Sequence, residues 1–211
     1  MSHILKDERH PNYSLPTNYY LLIMDKIVFD IETKNTFQDV GGKDNIEKLE
    51  VSVVAVYLYE TQEYQVFDEH ELDKLGTLLQ RAGLLIGFSS KQFDVPVLEK
   101  YCNFKLSAVP HFDIFEKIYE QLGRRVGLGP LAEANLGEGK IGHGLEAVEM
   151  YEQGDIKRLK EYCLQDVKVT KGLFDIVMKR GYLWVPKRGL PDMDKVTVGH
   201  KEPHNSQSSL I

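Results

Sequence analysis

Asp30, Glu32, Asp94, Tyr162 and Asp166 are the side chains that could do chemistry together. They lie in three segments: Ile27-Val28-Phe29-Asp30-Ile31-Glu32-Thr33, Gly87-Phe88-Ser89-Ser90-Lys91-Gln92-Phe93-Asp94-Val95-Pro96 and Tyr162-Cys163-Leu164-Gln165-Asp166-Val167. Four carboxylates and a phenol, each beside an apolar run, point to a two-metal site for cutting phosphodiester bonds. Hard divalent ions take oxygen ligands and keep several waters. Two of them together stabilise the attacking and the leaving oxygen of an in-line displacement.

Each segment also has a plainer reading. Asp30 and Glu32 are two apart on a strand, so both project from one face. Such a pair repels, and one member takes up a proton unless a cation offsets it. A metal would provide that cation; two exposed acids flanking a core Ile31 are the alternative. Asp94 stands at the start of a helix, where an Asp is a good N-cap. Tyr162 and Asp166 are i and i+4 on a helix and share a face, which also suits a plain side-chain hydrogen bond. Cys163 points about 100° away from Tyr162 on that helix and reads as a core thiol, not a nucleophile.

These segments need a scaffold, and the hydrophobic pattern supplies one. Lys26–Asp30, Glu50–Tyr59, Glu63–Phe67, Leu84–Phe88 and Val109–Phe112 read as strands, rich in Val, Ile and Tyr. Asp68–Arg81, Phe93–Tyr101, Asp113–Leu122, Leu128–Leu136, Leu145–Tyr151 and Ile156–Arg180 read as helices, with Asp113 as a cap and Pro96 in a first turn. The order is three strands, helix, strand, helix, strand, then helices. It predicts an α/β fold with a mixed five-stranded sheet flanked by helices, an antiparallel meander first and crossover strands after it. Residues 1–24 read as an N-terminal extension and 25–186 as the domain. Residues 187–211, polar and rich in Pro, Ser and His, read as a mobile tail.

The chain has 211 residues, 42% hydrophobic and 27% charged, enough for one ordinary domain and too few for two large ones. No apolar run reaches the length of a membrane span, and the charged start is unlike a secretory signal. Cys102 and Cys163 are far apart and read as reduced thiols of a cytoplasmic protein. The formal net charge of −6 argues against a tight non-specific nucleic-acid binder. It leaves room for an enzyme whose metals bring positive charge. The pairs Arg124-Arg125, Lys157-Arg158, Lys179-Arg180 and Lys187-Arg188 read as solvated surface.

Taken together, the three segments resemble the motifs of the DEDD superfamily of 3′–5′ exonucleases, over roughly residues 26–180. Phe-Asp-Ile-Glu-Thr matches the first, Gly-x-Ser-x-x-x-Phe-Asp-x-Pro the second and Tyr-Cys-x-x-Asp-Val the third. The Tyr-x-x-x-Asp spacing is that of the tyrosine branch; the histidine branch has His five residues before the last Asp, where this chain has Glu161. The nearest likeness is to the proofreading domain of family B DNA polymerases. The second motif often carries Asn where this chain has Ser89. The resemblance implies a ribonuclease-H-like fold and two ions of Mg²⁺ or Mn²⁺ held by Asp30, Glu32, Asp94 and Asp166. It implies that Tyr162 orients the attacking water, a phenol of pKa about 10 being a poor base. It assigns Ile31, Thr33, Ser89, Phe93 and Lys140 to the substrate, a single-stranded 3′ end of DNA or RNA. A polymerase or helicase partner in replication or repair would fit, and no membrane. The rival reading is a non-catalytic ribonuclease-H-like module that binds nucleic acid or a partner.

Overall fold

The computed structural model describes residues 25–137 and 144–198. The expected N-terminal extension (1–24), Lys140 and the end of the expected tail (199–211) lie outside the described residues. The Val- and Ile-rich runs form β1 (Asp25–Thr33), β2 (Val51–Leu58) and β3 (Glu63–Asp68), an antiparallel meander. After it come α1 (Leu72–Leu79), β4 (Ala82–Gly87), α2 (Asp94–Leu98), β5 (His111–Asp113) and α3 (Ile114–Leu122). The chain continues as α4 (Leu128–Leu136), α5 (Gly144–Glu152), α6 (Ile156–Arg180), β6 (Tyr182–Pro186) and β7 (Met193–Thr197).

The main sheet has the order β3-β2-β1-β4-β5, with β1 in the middle. β4 runs parallel to β1, and β5 parallel to β4. This is the mixed five-stranded sheet expected. Its two faces bury two separate apolar layers, and the period of β1 divides them. Ile27, Phe29 and Ile31 pack with α1 and α2 residues such as Leu75, Leu79 and Leu98. Val28, with Val53, Ala55 and Ile86 of neighbouring strands, packs against α6 through Cys163, Val167 and Phe174. Asp30 and Glu32 share the period of Val28, so they belong to the face that α6 covers.

The helix α6 spans 25 residues, capped by Asp155, whose side chain accepts from Arg158 N–H, and ended by Gly181 at φ 77°. Its buried stripe reads Leu159, Cys163, Asp166, Thr170, Leu173 and Val177, spaced three and four apart. Asp166 therefore occupies a position that packing alone would give to an apolar residue. Among the described residues no helix is long and apolar enough to cross a membrane.

One expectation needs correction. By composition the fold stops at Pro186, but β6 and β7 form an antiparallel hairpin that carries it to Val198. Val196 and Val198 are almost wholly buried in the layer that holds Leu183, Val185 and Phe174. Asp194 pairs with Arg124 at 3.0 Å and Lys187 at 3.4 Å. In β7 the exposed Met193, Lys195 and Thr197 hid an inner face marked only by Val196, with Val198 just beyond the strand.

Candidate active site

β1 runs past the expected Lys26–Asp30 by one residue at its start and three at its end, finishing at Thr33 with a register shift against β2 between Glu32 and Thr33. Asp30 pairs with Ala55 and Glu32 with Val53, both small or slender, which leaves room above them for α6. There Asp166 meets them: one carboxylate oxygen from each of Asp30, Glu32 and Asp166 lies within 4.8 Å of the other two. Glu32 and Asp166 are buried, and Asp30 keeps part of its surface open. Among the described residues, Asp166 Oδ1 is buried with no hydrogen-bond partner, an arrangement that costs stability unless something else coordinates it.

Asp94 joins from the other side of β1. It is the first residue of α2, one place after the N-cap position held by Phe93. Its Oδ1 accepts from Ile31 N–H at 3.2 Å, across 63 residues of sequence. The capping alternative for Asp94 is thus set aside by a contact that aims the carboxylate at the backbone between Asp30 and Glu32.

The loop that delivers Asp94 is held tightly. Gly87 ends β4, and a Cβ there would come within 2.1 Å of Ser90 Oγ. Ser89 adopts φ 65°, unusual for a residue with a side chain. Asp113, 1% exposed, accepts from Ser89 N–H at 2.9 Å and Lys91 N–H at 3.0 Å while capping α3 through Glu116 N–H. Ser90 Oγ and His111 Nε2 lie 2.8 Å apart. Nothing in the sequence marked Asp113 as more than a helix cap.

Electrostatics follow from packing these acids together out of water. Burial raises Asp30 well above the usual carboxylate range, and Asp94, Asp166 and Glu32 add to it. Burial also raises Glu32, with Asp166 and Asp94 next. Asp94 is pushed up to about 7, chiefly by burial, and Asp166 likewise to about 7. The Tyr162 phenol is driven far above its ordinary range by burial and then by Asp166, Glu32 and Asp30. It keeps its proton at any physiological pH. Cys163 is fully buried, its thiol donating toward the Asp30 carbonyl at 3.4 Å, as a core thiol.

All five residues line one open cleft of about 910 Å³. Its wall also holds Ile31, Thr33, Ser89 and Phe93, four of the five expected substrate residues. Phe93 stacks edge-on to Phe37, another wall residue, at 5.7 Å. Among the wall residues the sequence did not single out are two cations: Lys43, which carried no signal, and Arg125, read there only as part of a surface pair. The donor set of three clustered carboxylates, one oxygen unpartnered, fits a hard divalent cation.

The likeness to known proteins agrees with this geometry. The family model of the RNase_H superfamily matches residues 27–178. No curated protein matches the chain in sequence. A solved structure of the family B DNA polymerase from the hyperthermophilic archaeon Pyrobaculum calidifontis shares the fold, with a TM-score of 0.58 and 18% identity. The match covers 73% of this chain and 24% of the polymerase, so the chain spans about a quarter of that protein's length.

Proposed function

The chain belongs to the RNase_H superfamily, and from that membership and the acid-lined cleft we propose that it is a 3′–5′ exonuclease of the tyrosine DEDD branch. Its substrate is the 3′ end of a single strand, DNA in preference to RNA, and its product nucleoside monophosphates. The observation that carries the proposal is the trio Asp30, Glu32 and Asp166 within 4.8 Å, with Asp166 Oδ1 unpartnered.

Asp30, Glu32 and Asp166 would hold one ion of Mg²⁺ or Mn²⁺, and Asp94 with Asp30 a second. Such ions, when bound, lower the pKa of water and stabilise the oxygens that gain charge. The protein's own residues do the positioning. Asp94, tied to Ile31 N–H, keeps that carboxylate fixed relative to β1. Tyr162, always protonated, donates a hydrogen bond to orient the attacking water, and does not take its proton. Ile31, Thr33, Ser89 and Phe93 surround the terminal nucleotide. A duplex end must fray first, at about 1.4 kcal/mol per stacking step. A polymerase or helicase acting on the same end is the proposed partner, in a cytoplasmic setting that suits two free thiols.

A gel assay tests this. A 5′-labelled strand with Mg²⁺ or Mn²⁺ should give a ladder of shortening products, and a 3′-phosphate should block it. Cleavage of a circular single strand would instead make the protein an endonuclease.

A further inference from the structure

The cleft that holds four carboxylates is lined by only two cations among the described residues, Lys43 and Arg125. Cations beside such a cluster normally pair with it. These two make no ion pair among the described residues, unlike three cations near the cleft. Arg124 pairs with Asp194, Lys91 with Glu116, and Lys34 with Glu50 and Glu69.

Arg125 is placed, not merely exposed. Its guanidinium lies 4.9 Å from the centre of the Phe115 ring. Phe115 is 3% exposed and packs edge-on against Phe88 of the cleft wall at 5.8 Å. A guanidinium already resting on a buried ring loses less freedom when it binds an oxyanion. Lys43 opens a 3₁₀ turn (Lys43–Lys48) after Gly41 and Gly42, with φ 84° and 117°, where Gly42 N–H donates to the Phe37 carbonyl at 2.7 Å.

We infer that Arg125 and Lys43 each hold a backbone phosphate of a single nucleic-acid strand lying in the cleft, a role that rests on the nuclease proposal and deepens it. With two divalent ions offsetting four carboxylates, these two cations are what remains to offset two phosphodiesters away from the scissile one. The strand is thus held by its backbone at two points, independent of base and of sugar. Selectivity between DNA and RNA has to arise elsewhere.

Fluorescence anisotropy of labelled oligothymidylate and oligouridylate in Ca²⁺, over a range of KCl, measures this without relying on turnover. Arg125→Ala and Lys43→Ala should each weaken binding of both strands by about 5- to 20-fold at low salt. Each should also make the slope of log Kd against log salt shallower by about 0.7, and the double variant by about 1.4. Arg125→Lys should keep the slope and lose part of the affinity. Lys105→Ala, an exposed lysine outside the cleft, should change neither. Unchanged slopes in both alanine variants, or a loss confined to one sugar, would overturn the phosphate assignment while leaving gel cleavage by the parent intact. A parent that neither binds nor cleaves either strand would bring down the nuclease proposal as well.

Discussion

At the scale of single residues the site is a set of local choices that would be errors in an ordinary core. Asp166 takes a stripe position of α6 between Cys163 and Thr170, with one oxygen unpartnered. Removing its charge while keeping its shape should relieve the metal-free protein. Asp166→Asn is expected to raise the metal-free melting temperature by a few degrees at pH 8, roughly 1–2 kcal/mol. It should also abolish any further rise on adding Mn²⁺. A lower metal-free melting temperature would mean that the carboxylate is a structural bond and not a ligand. Ser89 is a second such choice, since φ 65° suits Asn better than most side chains. The Asn common at this place in the second motif is explained by that conformation, and Ser89 tolerates it with Asp113 accepting its N–H. Circular dichroism melts should show Ser89→Asn neutral and Ser89→Val less stable by about 1–3 kcal/mol. Equal melts would remove the strain argument. Asp94 shows where residue-level reading stops. Its position favoured a cap, and only the approach of Ile31, 63 residues away, reveals its true partner.

At the scale of elements, the strands and helices that place the site were legible because each has its own period. Runs of Val, Ile and Leu gave β1, β2 and β4, and the three-and-four spacing of apolar residues gave α1 and α6. What stayed hidden depended on contacts between elements. Arg124 and Arg125 look alike in sequence, yet one pairs with β7 and the other lines the cleft. β7 hid behind a mostly polar outer face, although Val196-x-Val198 after the Gly189-Leu190-Pro191 turn carries the period of a strand. Its burial has a measurable consequence. A chain ended after Leu190 loses β7, and with it two buried valines worth about 1.5–3 kcal/mol each. The melting temperature should fall by roughly 6 °C or more. An unchanged value would show that the hairpin packs too loosely to contribute.

For the whole molecule, four acids are held together at the centre of a chain that is already negative, and stability should therefore depend on pH and on divalent ions. Asp94 and Asp166, at about 7, keep protons in the folded state that the unfolded chain gives up near 4. The folded state thus binds more protons up to about pH 7, and metal-free stability should fall as pH rises through that value. His111, pushed down to about 4 by burial, acts in the opposite sense, but only below its ordinary 6.5. The window from about 6.5 to 8.5 therefore isolates the carboxylates. Thermal melts in EDTA across it should show a loss of about 1–3 kcal/mol. Saturating Mg²⁺ should flatten the profile, because ions bind the deprotonated site and only in the folded chain. Rising stability with pH in EDTA would contradict the electrostatics derived for the cluster.

The proposal that these carboxylates cut nucleic acid is tested most directly by single-turnover cleavage of a 5′-labelled strand by the parent and by Asp30→Ala, over a Mn²⁺ titration. The parent should shorten the strand stepwise from its 3′ end. Asp30→Ala, folded by circular dichroism, should be slower by at least about 10³-fold at every Mn²⁺ concentration, because Asp30 touches every other acid of the cluster electrostatically and would serve both ions. Equal rates for parent and variant at saturating Mn²⁺ would contradict the account.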